Sequence, residues 1–474
     1  MYLVYFSYIK YLTDLRHLNW MKIQLNKMNW NQLLSAKRFG QEDRVAINEH
    51  EIRSQFQRDY DRLIFSSPFR RLQNKTQVFP LPGSIFVHNR LTHSLEVSSV
   101  GRSLGNLLSE KLNCSKQYEN NPYLDGIGNI VATACLAHDL GNPPFGHSGE
   151  EALSYYFTHG EGKQLENRFS KEQWADLCNF EGNANAFRLL THAFNGRRKG
   201  GFALTYSSIA AIVKYPWEAY KIPEVGKRKY GFFNTEKENY QRIASELGLP
   251  EIKSGIFARH PLVYLVEAAD DICYQIMDIE DAHKLKILST DETKQLLLNF
   301  YNKTEDINTL DRIAETCEEV SDINEQIAYI RAGVIGKLIK ECVSVFIENE
   351  KQIMAGEFSS TLIKEVPESS KLAYKNCTKI AVSKIYNHRS VLEIELAGYK
   401  ILGTLLQEFV EAILNPNSFY SEKLLSLIPE QYSHKGNDEY LKIMSILDFV
   451  SGMTDVFALD LYRTIKGIKL PDTY

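Results

Sequence analysis

Apolar residues recur at intervals of three and four along most of this 474-residue chain, and this spacing limits the folds it can adopt. Residues 91–112, for example, have the spacing of an amphipathic helix, with apolar side chains at Leu91, Leu95, Val100, Leu104, Leu107 and Leu108. Strand-like segments are few, and the best candidates are residues 75–80 and 376–387. The pattern predicts an all-α protein, mainly helical with a few short strands. The predicted helices cover residues 91–112, 126–140, 181–194, 261–282, 308–350, 391–415 and 440–467.

Charge and cysteine content exclude several classes of protein. A net charge of −4 argues against a surface that binds nucleic acid throughout, although 55 Lys and Arg residues leave room for a local basic groove. The seven cysteines are scattered without a Cys-x-x-Cys pair, as expected for reduced thiols in a cytoplasmic protein. The sequence contains no run of 18 uncharged apolar residues, so we expect no membrane span.

The first residues, MYLVYFSYIKYL, are apolar but resemble a signal peptide poorly. They lack a basic start and a small-residue cleavage site. Because Met21 and Met28 follow closely, two interpretations of residues 1–20 stay open. They are either a leader outside the fold or an artefact of start-site choice.

Imidazole and carboxylate side chains in three separate segments predict one metal site, held by His93, the adjacent pair His138 and Asp139, and Asp270. Nitrogen and oxygen donors suit Mg, Mn or another first-row transition metal better than an ion that prefers thiolates. A single His-Asp pair would be weak evidence, because such dipeptides occur by chance. This pair gains weight because it opens the run HDLGNPPFGHSGE, which also contains a second histidine and a glutamate.

The HDLGNPPFGHSGE run predicts a helix that ends at the His-Asp pair, a turn stiffened by two prolines, and a second helix. Ser148 and Glu151 match a capping box, which would place His147 at the start of that second helix. Glu150 would stabilise the charged form of His147, which suits a general acid. In the structural alternative, Glu150 only complements the helix dipole and His147 hydrogen-bonds the backbone.

Asp270, Tyr274 and Asp278 are spaced by four residues and therefore share one stripe of the predicted helix 261–282. The residues around them are largely apolar, which indicates a buried helix, and buried acids need partners. Such a row could offer a metal ligand, a phenol and a second carboxylate to one elongated ligand. The alternative is a solvated helix face.

Several residues near these motifs are further candidates. Arg90 precedes His93 by three residues and could hold a phosphate beside the metal. His88 is five residues from His93, a spacing that favours a role in the loop over metal binding. Glu181 and Asn183 stand at the start of the predicted helix 181–194, where an acid is common in any case. Only the surrounding motifs make these two residues candidates.

Taken together, the motifs resemble those of bacterial dGTP triphosphohydrolases, the dNTP triphosphohydrolase branch of the HD phosphohydrolase superfamily. The resemblance covers residues 45–290, and DFVSGMTDVFALDLYR resembles the closing helix of the family, whereas residues 291–440 match less distinctly. The segments that carry it are RLTHSLEV, HDLGNPPFGHSGE, FEGNANAFRLL and EAADDICYQIMDIEDA.

The resemblance implies a helical HD-domain fold, with a divalent metal ion held by the four residues named above. It implies hydrolysis of a dNTP, with dGTP favoured, at the α-phosphorus, which releases a deoxynucleoside and intact tripolyphosphate. The expected regions are an N-terminal extension of residues 1–45, a metal-dependent phosphohydrolase core of residues 46–290, and a helical C-terminal region of residues 291–474 that closes the site and contributes to oligomer contacts.

The resemblance also implies roles for residues around the metal. The family places a Gln at the deoxyribose 3′-hydroxyl and a small apolar residue that excludes a 2′-hydroxyl, and these positions look like Gln77 and Val78. Asp271 follows Asp270, where some eukaryotic relatives have a basic residue, so one phosphate contact is missing or supplied differently. The expected catalytic residues are His147, Glu150 and Glu181, and the further substrate contacts are Arg90, Asn183, Lys214, Tyr274 and Asp278.

Two other classes of protein remain as alternatives. One is another HD phosphohydrolase, such as a cyclic-nucleotide phosphodiesterase or a 5′-nucleotidase, which would lack the sugar-binding residues Gln77 and Val78. The other is a regulatory or single-stranded-DNA-binding protein with a vestigial site, although an intact set of four ligands argues against it. The resemblance further implies a homo-oligomer, with a hexamer expected, that responds to single-stranded DNA or a nucleotide effector.

Overall fold

The fold is built almost entirely from helices, as the computed structural model shows for residues 27–43, 52–78, 88–114, 121–434 and 436–470. The all-α fold class is confirmed, because the sheet structure of these residues is one antiparallel pair of short strands, Glu251–Lys253 and Ile256–Phe257. The α-helices are Trp30–Leu33, Gln55–Ile64, Ser67–Arg71, Arg90–Asn113, Ile127–Ala137, Gly146–Thr158, Lys171–Cys178, Gly182–Thr191, Tyr206–Ile212, Ile222–Val225, Lys237–Leu247, Val263–Lys284, Thr290–Leu298, Ile307–Glu319, Ile323–Glu348, Glu350–Ala355, Glu368–Ile380, Arg389–Leu414, Phe419–Leu425, Glu439–Ser451 and Asp455–Ile465.

Shorter helical segments connect the α-helices. One five-residue π-helical turn, Ala381–Ile385, follows the Glu368–Ile380 helix directly. The 3-10 segments are Leu72–Asn74, Leu124–Gly126, Glu161–Arg168, Ala219–Lys221, Asn234–Glu236, Leu362–Lys364 and Glu430–Tyr432. The predictions for residues 1–20, and for the last two residues of the predicted strand 75–80, fall outside the described residues.

The predicted strand at residues 376–387 is wrong. This segment is the end of a helix and the π-helical turn, and its buried residues recur every four positions at Ala373, Cys377, Ala381 and Ile385. That spacing is helical. The strand was predicted because the segment contains β-branched residues, which are common in strands. In the described part of the predicted strand 75–80, Thr76 forms only a single antiparallel bridge, with Asn89.

Two predicted long helices are each broken in two. Residues 308–350 divide between Ile307–Glu319 and Ile323–Glu348, because Asp322 caps the second helix by accepting from the backbone N–H groups of its first turn. Residues 440–467 divide between Glu439–Ser451 and Asp455–Ile465, where the side chain of Thr454 is the cap. Apolar periodicity continues across both breaks, and the short capping residues decide where the chain turns.

The Ile127–Ala137 helix lies at the centre of the fold. Every residue of this helix except Asn129 is buried, and a helix that is apolar all round belongs in the interior. It packs against Gln55–Ile64, Arg90–Asn113 and Tyr206–Ile212. The described part of the chain contains no helix with both the length and the apolar character that a membrane span requires.

A close helix crossing brings the two predicted metal-binding histidines together. Gly105 packs directly on Gly128, since a Cβ atom added to Gly105 would lie 2.7 Å from the Gly128 Cα. One turn earlier, Gly101 faces Cys135, so the two helices run in opposite directions. His93 near the start of one helix therefore lies beside His138 at the end of the other.

Helices from the C-terminal third of the chain pack over the start of the Gly146–Thr158 helix. The Arg389–Leu414 helix packs along it and also contacts Glu439–Ser451 and Asp455–Ile465. Gly398 is in contact with Phe145, and a larger residue at position 398 would overlap with that ring. These helices therefore fix the position of the segment that carries His147.

Candidate active site

Three helical segments bring His93, His138 and Asp270 into one cluster, whose ligand atoms all lie within 4.8 Å of one another. Asp270 Oδ1 is 3.3 Å from His93 Nε2 and 3.5 Å from His138 Nε2. Two imidazoles and a carboxylate at these distances match the donor set of a divalent metal ion. Sequence analysis named all three residues from separate motifs, and the fold brings them together.

The orientation of His138 fits a metal ligand. Its Nδ1 lies 2.6 Å from the Cys135 carbonyl oxygen, so this nitrogen carries the proton and Nε2 presents a lone pair. That Nε2 atom is buried and has no hydrogen-bond partner among the described residues. A buried polar atom without a partner is costly unless something binds it. An ion at the cluster would bind His138 Nε2, and the hydrogen bond from Nδ1 to the Cys135 carbonyl oxygen would hold the ring in place.

Asp139, the fourth predicted ligand, is already engaged by neighbouring side chains. Its Oδ2 accepts from Arg90 Nη1 at 2.7 Å, and its Oδ1 accepts from the Asn142 amide. The same Oδ1 atom is 3.6 Å from His138 Nε2, at the edge of the cluster. Burial opposes ionisation of Asp139, but Arg90 and the two histidines outweigh burial and lower its pKa. Asp139 is thus an anion that links the cluster to Arg90.

Asp270 is also held in the charged form that a metal ligand requires. Burial would raise the pKa of Asp270, but His138, His93 and Lys214 outweigh burial and lower it. Lys214 itself forms an ion pair with Glu267 at 3.2 Å and lines the same cavity. The cluster therefore carries its negative charge beside a fixed cation.

His147 stands on the rim of the cavity, paired with Glu150. Its Nδ1 is 2.8 Å from Glu150 Oε2, while Glu150 Oε1 accepts from the Gly182 backbone N–H at 2.8 Å. The hydrogen bond to Glu150 raises the pKa of His147 and favours the imidazolium form. Burial opposes ionisation of Glu150, but His147 outweighs burial and lowers its pKa. The pair can hold a proton at the mouth of the site.

The helix that carries His147 begins two residues before the predicted capping box. It starts at Gly146, with Phe145 at the N-cap in a left-handed conformation (φ 60°). The Ser148 hydroxyl donates to the Glu395 carbonyl oxygen and does not cap the helix. The capping-box prediction is therefore wrong, because the Ser148 hydroxyl makes a tertiary hydrogen bond and not a bond to its own helix.

Glu181 lies next to Glu150 in the same wall. Burial, together with the charge of Glu150, raises the pKa of Glu181. Its Oε1 accepts hydrogen bonds from the backbone N–H and the side-chain amide of Asn183. Two adjacent carboxyl groups with opposite shifts can carry a proton between them.

Arg90 and two lysines surround the cluster with positive charge. The Arg90 guanidinium packs against Gly146, where a Cβ atom would lie 2.8 Å from Nη2, and its buried Nε has no partner among the described residues. Lys214 and Lys229 line the cavity with it. Lys229 was not predicted from the sequence, although it stands in the basic run Lys227, Arg228 and Lys229, which was a usable signal.

The residues assigned to a sugar also belong to this part of the fold. Gln77, Val78 and Tyr274 line the wall, and the buried Gln77 Oε1 has no hydrogen-bond partner in the described part of the chain. Asp278 lies behind this wall, where its Oδ2 accepts from the Tyr386 hydroxyl at 2.6 Å. Burial raises the pKa of Asp278 to about 7. Sequence analysis missed Tyr386, because it lies in the segment predicted to be a strand.

The cavity between these groups has a volume of about 410 Å³, which is the size of a small-molecule site. Its wall combines residues of the predicted core with residues of the C-terminal third. His88 takes no part, since it binds Asp281 and Glu96 instead. The lining residues are Thr76, Gln77, Val78, Arg90, His138, Asp139, Asn142, Phe145, Gly146, His147, Glu150, Glu181, Asn183, Lys214, Tyr215, Lys229, Asp270, Tyr274, Tyr386, Val391, Ile394 and Glu395.

The chain is similar to known proteins over nearly all of its length. Residues 90–231 match the HD domain, and residues 364–464 match the phosphohydrolase-associated domain. A deoxyguanosinetriphosphate triphosphohydrolase-like protein of Synechocystis sp. is 37% identical over 94% of this chain and 100% of its own length. A protein with the same description from Listeria innocua is 32% identical over 93% of this chain and 100% of its own length. The deoxyguanosinetriphosphate triphosphohydrolase of Yersinia enterocolitica is 30% identical over 94% of this chain and 100% of its own length. The chain therefore belongs to the dNTP triphosphohydrolase family of HD-domain phosphohydrolases and is a hydrolase.

Proposed function

We propose that this protein hydrolyses a deoxynucleoside triphosphate, with dGTP favoured, to a deoxynucleoside and tripolyphosphate. The observation that carries the proposal is one cavity in which a metal-type cluster, three cations and a carboxylate-paired histidine face each other. A polyphosphate ester would use all of these groups, because its phosphates bind the cations and the ion and its leaving oxygen needs a proton. The names of the relatives support the same substrate class.

We propose that His93, His138 and Asp270, joined by Asp139, hold a divalent metal ion. Their nitrogen and oxygen donors suit Mg, Mn or another first-row transition metal. Such an ion would neutralise charge on the α-phosphate and make a bound water more nucleophilic. Arg90 would act with it, because its guanidinium lies 2.7 Å from Asp139 and its Nε lacks a protein partner among the described residues.

The triphosphate would lie along the cationic wall. Arg90, Lys214 and Lys229 line one side of the cavity, and Asn183 adds an amide near Lys229. Fixed cations stabilise charge that develops on phosphate oxygens without having to reorganise. A polyphosphate held in this way as one unit leaves the bond to O5′ as the one that breaks.

His147 would serve as the general acid for the departing O5′ atom. Water oxygen bonds to the α-phosphorus, the bond from phosphorus to O5′ breaks, and the proton on His147 Nε2 passes to O5′. The proton that the attacking water loses passes to solvent, from which His147 is protonated again before the next turnover. Glu150 keeps that proton available through its 2.8 Å contact with Nδ1. Glu181, whose pKa is raised by burial and by the Glu150 charge, lines the same cavity beside this pair.

The deoxyribose would contact Gln77, Val78 and Tyr274. The unpartnered Gln77 Oε1 can accept from a 3′-hydroxyl, and Val78 leaves little room for a 2′-hydroxyl. Asp278 would act from behind the wall through Tyr386, which holds its Oδ2.

The test is to incubate the purified protein with each dNTP and each rNTP in the presence of Mn or Mg, and to identify the first products by chromatography. We expect dGTP to give deoxyguanosine and tripolyphosphate, without dGDP or dGMP at early times. The His138→Ala variant, purified in parallel, controls for contaminating phosphatases. If dGMP and pyrophosphate appear first, the proposed reaction is wrong even though the metal cluster stands.

A further inference from the structure

A single buried carboxylate near the C-terminus joins two chain segments whose residues line the cavity. We propose that Asp455 is a positioning residue that fixes the sugar-side residues Gln77 and Val78 relative to the general-acid candidate His147. The kinetic consequences of this inference rest on the proposed function. Its structural part, the joining of two chain segments, can be tested without any substrate.

All the contacts of this carboxylate point away from its own helix. Asp455 Oδ2 accepts from the Thr76 backbone N–H at 2.8 Å and from the Thr76 hydroxyl at 2.6 Å. Its Oδ1 accepts from the Phe145 backbone N–H at 3.0 Å. Thr76 directly precedes Gln77 and Val78, and Phe145 is two residues before His147. One side chain therefore binds two chain segments that contribute residues to the cavity lining.

Asp455 does not have the ordinary role of an acid in the first turn of a helix. An acid there often caps the free N–H groups or complements the helix dipole. In this helix the cap is Thr454, whose hydroxyl accepts from the Phe457 backbone N–H at 3.2 Å. The Asp455 carboxylate is only 6% exposed and is committed to other segments. The helix would keep its cap without it.

The backbone at Phe145 shows why such a tie matters. Phe145 has a φ of 60°, a left-handed conformation that a residue with a side chain keeps only where its surroundings enforce it. Two contacts hold it there, the hydrogen bond to Asp455 and the packing of its ring on Gly398. Because Phe145 is the N-cap of the His147 helix, relaxation at this residue would change the direction in which His147 points.

Lys75 makes a second connection between the same three segments. Its buried ammonium donates to the Asn142 carbonyl oxygen and, at 2.9 Å, to the Ser451 carbonyl oxygen. Residues 75–76, 142–145 and 451–455 thus meet at one buried polar junction. Since a misplacement of about 1 Å at a reacting group can reduce the rate ~10²-fold, this junction is placed to affect turnover without touching the substrate.

The main test compares Asp455→Asn with Asp448→Asn. Asp448 is a matched control, because it is 3% exposed, lies in the preceding helix and binds the Arg188 guanidinium outside the cavity. For Asp455→Asn we expect a ~10- to 100-fold lower kcat, a smaller change in KM and a reduced preference for dNTPs over rNTPs. For Asp448→Asn we expect a lower Tm with kcat and the sugar preference retained.

Hydrogen exchange gives a readout that does not depend on activity. We expect Asp455→Asn to speed amide exchange at residues 142–147, and Asp448→Asn to leave that segment as protected as in the unmodified protein. If the unmodified protein hydrolyses no dNTP, the proposed function fails, and the exchange rates still decide whether Asp455 holds this segment.

Thr76→Val is the milder second variant, which keeps the test decisive if Asp455→Asn does not fold. It removes only the hydroxyl bond to Asp455 and keeps the backbone bond. We expect smaller changes in the same direction, and no further loss when it is combined with Asp455→Asn, because both changes break the same contact. The proposal is overturned if the variants that fold keep kcat, the sugar preference and the exchange protection at residues 142–147.

Discussion

His138 and Asp139 are neighbours in the chain, but their side chains have different surroundings. His138 presents a buried Nε2 without a protein partner in the described residues, whereas both oxygens of Asp139 are already hydrogen-bonded. The histidine therefore offers a free lone pair to an ion, whereas Asp139 Oδ2 already accepts from Arg90 and its Oδ1 already accepts from Asn142. At the scale of single residues, this difference sets how each one contributes to metal binding.

We expect His138→Ala and Asp139→Ala to abolish turnover and to deplete bound metal, because each removes a candidate ligand from a buried site. Elemental analysis of the purified variants measures the metal content. His159→Ala is a suitable control, since His159 is exposed and stacks on Tyr155. Full metal occupancy in both ligand variants would rule out the metal assignment.

His147 should control the dependence of the rate on pH. Its pKa is raised by Glu150, so the proton that it donates is present below that pKa, and the rate falls as pH rises through it. Glu150→Gln removes the negative charge, so the alkaline fall in kcat should move to lower pH. The Gln oxygen can still accept from the Gly182 N–H, which preserves the local fold.

The substitution His147→Ala removes the imidazole itself. This variant should keep its metal and lose ~10²–10⁴-fold in kcat. The measurement is the profile of kcat against pH for the unmodified protein and the Glu150→Gln variant. An alkaline limb that stays in place, or a His147→Ala variant with unchanged kcat, would mean that the histidine is structural.

Val78→Gly tests the sugar side of the cavity. The loss of the isopropyl group opens space beside the proposed position of C2′, so rNTPs should be hydrolysed relatively faster. We expect a change in the ratio of kcat/KM values of at most ~10²-fold, because steric rejection of one hydroxyl is limited to about that factor. If the unmodified protein already hydrolyses GTP as well as dGTP, Val78 does not select the sugar.

At the scale of helices, the crossing of Arg90–Asn113 over Ile127–Ala137 sets the distance between His93 and His138. Both helices contribute glycines at the crossing, and the space there is filled by backbone atoms. Backbone cannot move aside as the end of a flexible side chain can. The spacing of the two candidate metal-binding histidines thus depends on residues that lie far along each helix from them.

Gly105→Ala should therefore destabilise the protein and weaken metal binding together. The added Cβ would lie 2.7 Å from the Gly128 Cα, and overpacking of this kind costs ~1–3 kcal/mol. Gly336→Ala is the matched control, because a Cβ there meets nothing within 4 Å, and a helical alanine is favoured by ~0.5–1 kcal/mol. Thermal unfolding with and without added Mn measures both effects, and equal Tm values for the two variants would contradict the argument.

At the scale of the whole molecule, the helical class and the residues of the metal cluster could be predicted from the sequence. Helical periodicity depends on neighbours along the chain, and His93, His138 and Asp270 stand in motifs that differ from ordinary helix sequence. The breaks at Asp322 and Thr454 could not be predicted from the apolar pattern, because that pattern continues through both turns.

The C-terminal part of the cavity was also beyond sequence analysis. Tyr386, Val391 and Glu395 reach the cavity through packing between distant segments, and their own stretch of sequence has no sign of chemistry. The π-helical turn before Tyr386 was predicted to be a strand, since its β-branched residues hide the helical spacing. Long-range packing, which local patterns do not encode, decides which of these side chains faces the cavity.

The buried junction at Asp455 has a consequence for the order of folding. Thr76 and Asp455 are 379 residues apart in the chain, and Lys75 and Ser451 are 376 residues apart. Contacts between such distant residues form late, because the chain between them loses entropy when its ends are joined. Most helices can form earlier from local contacts. We therefore expect a refolding protein to recover its helical circular dichroism before its activity, with an interval in which the chain is helical and the catalytic cavity is still open.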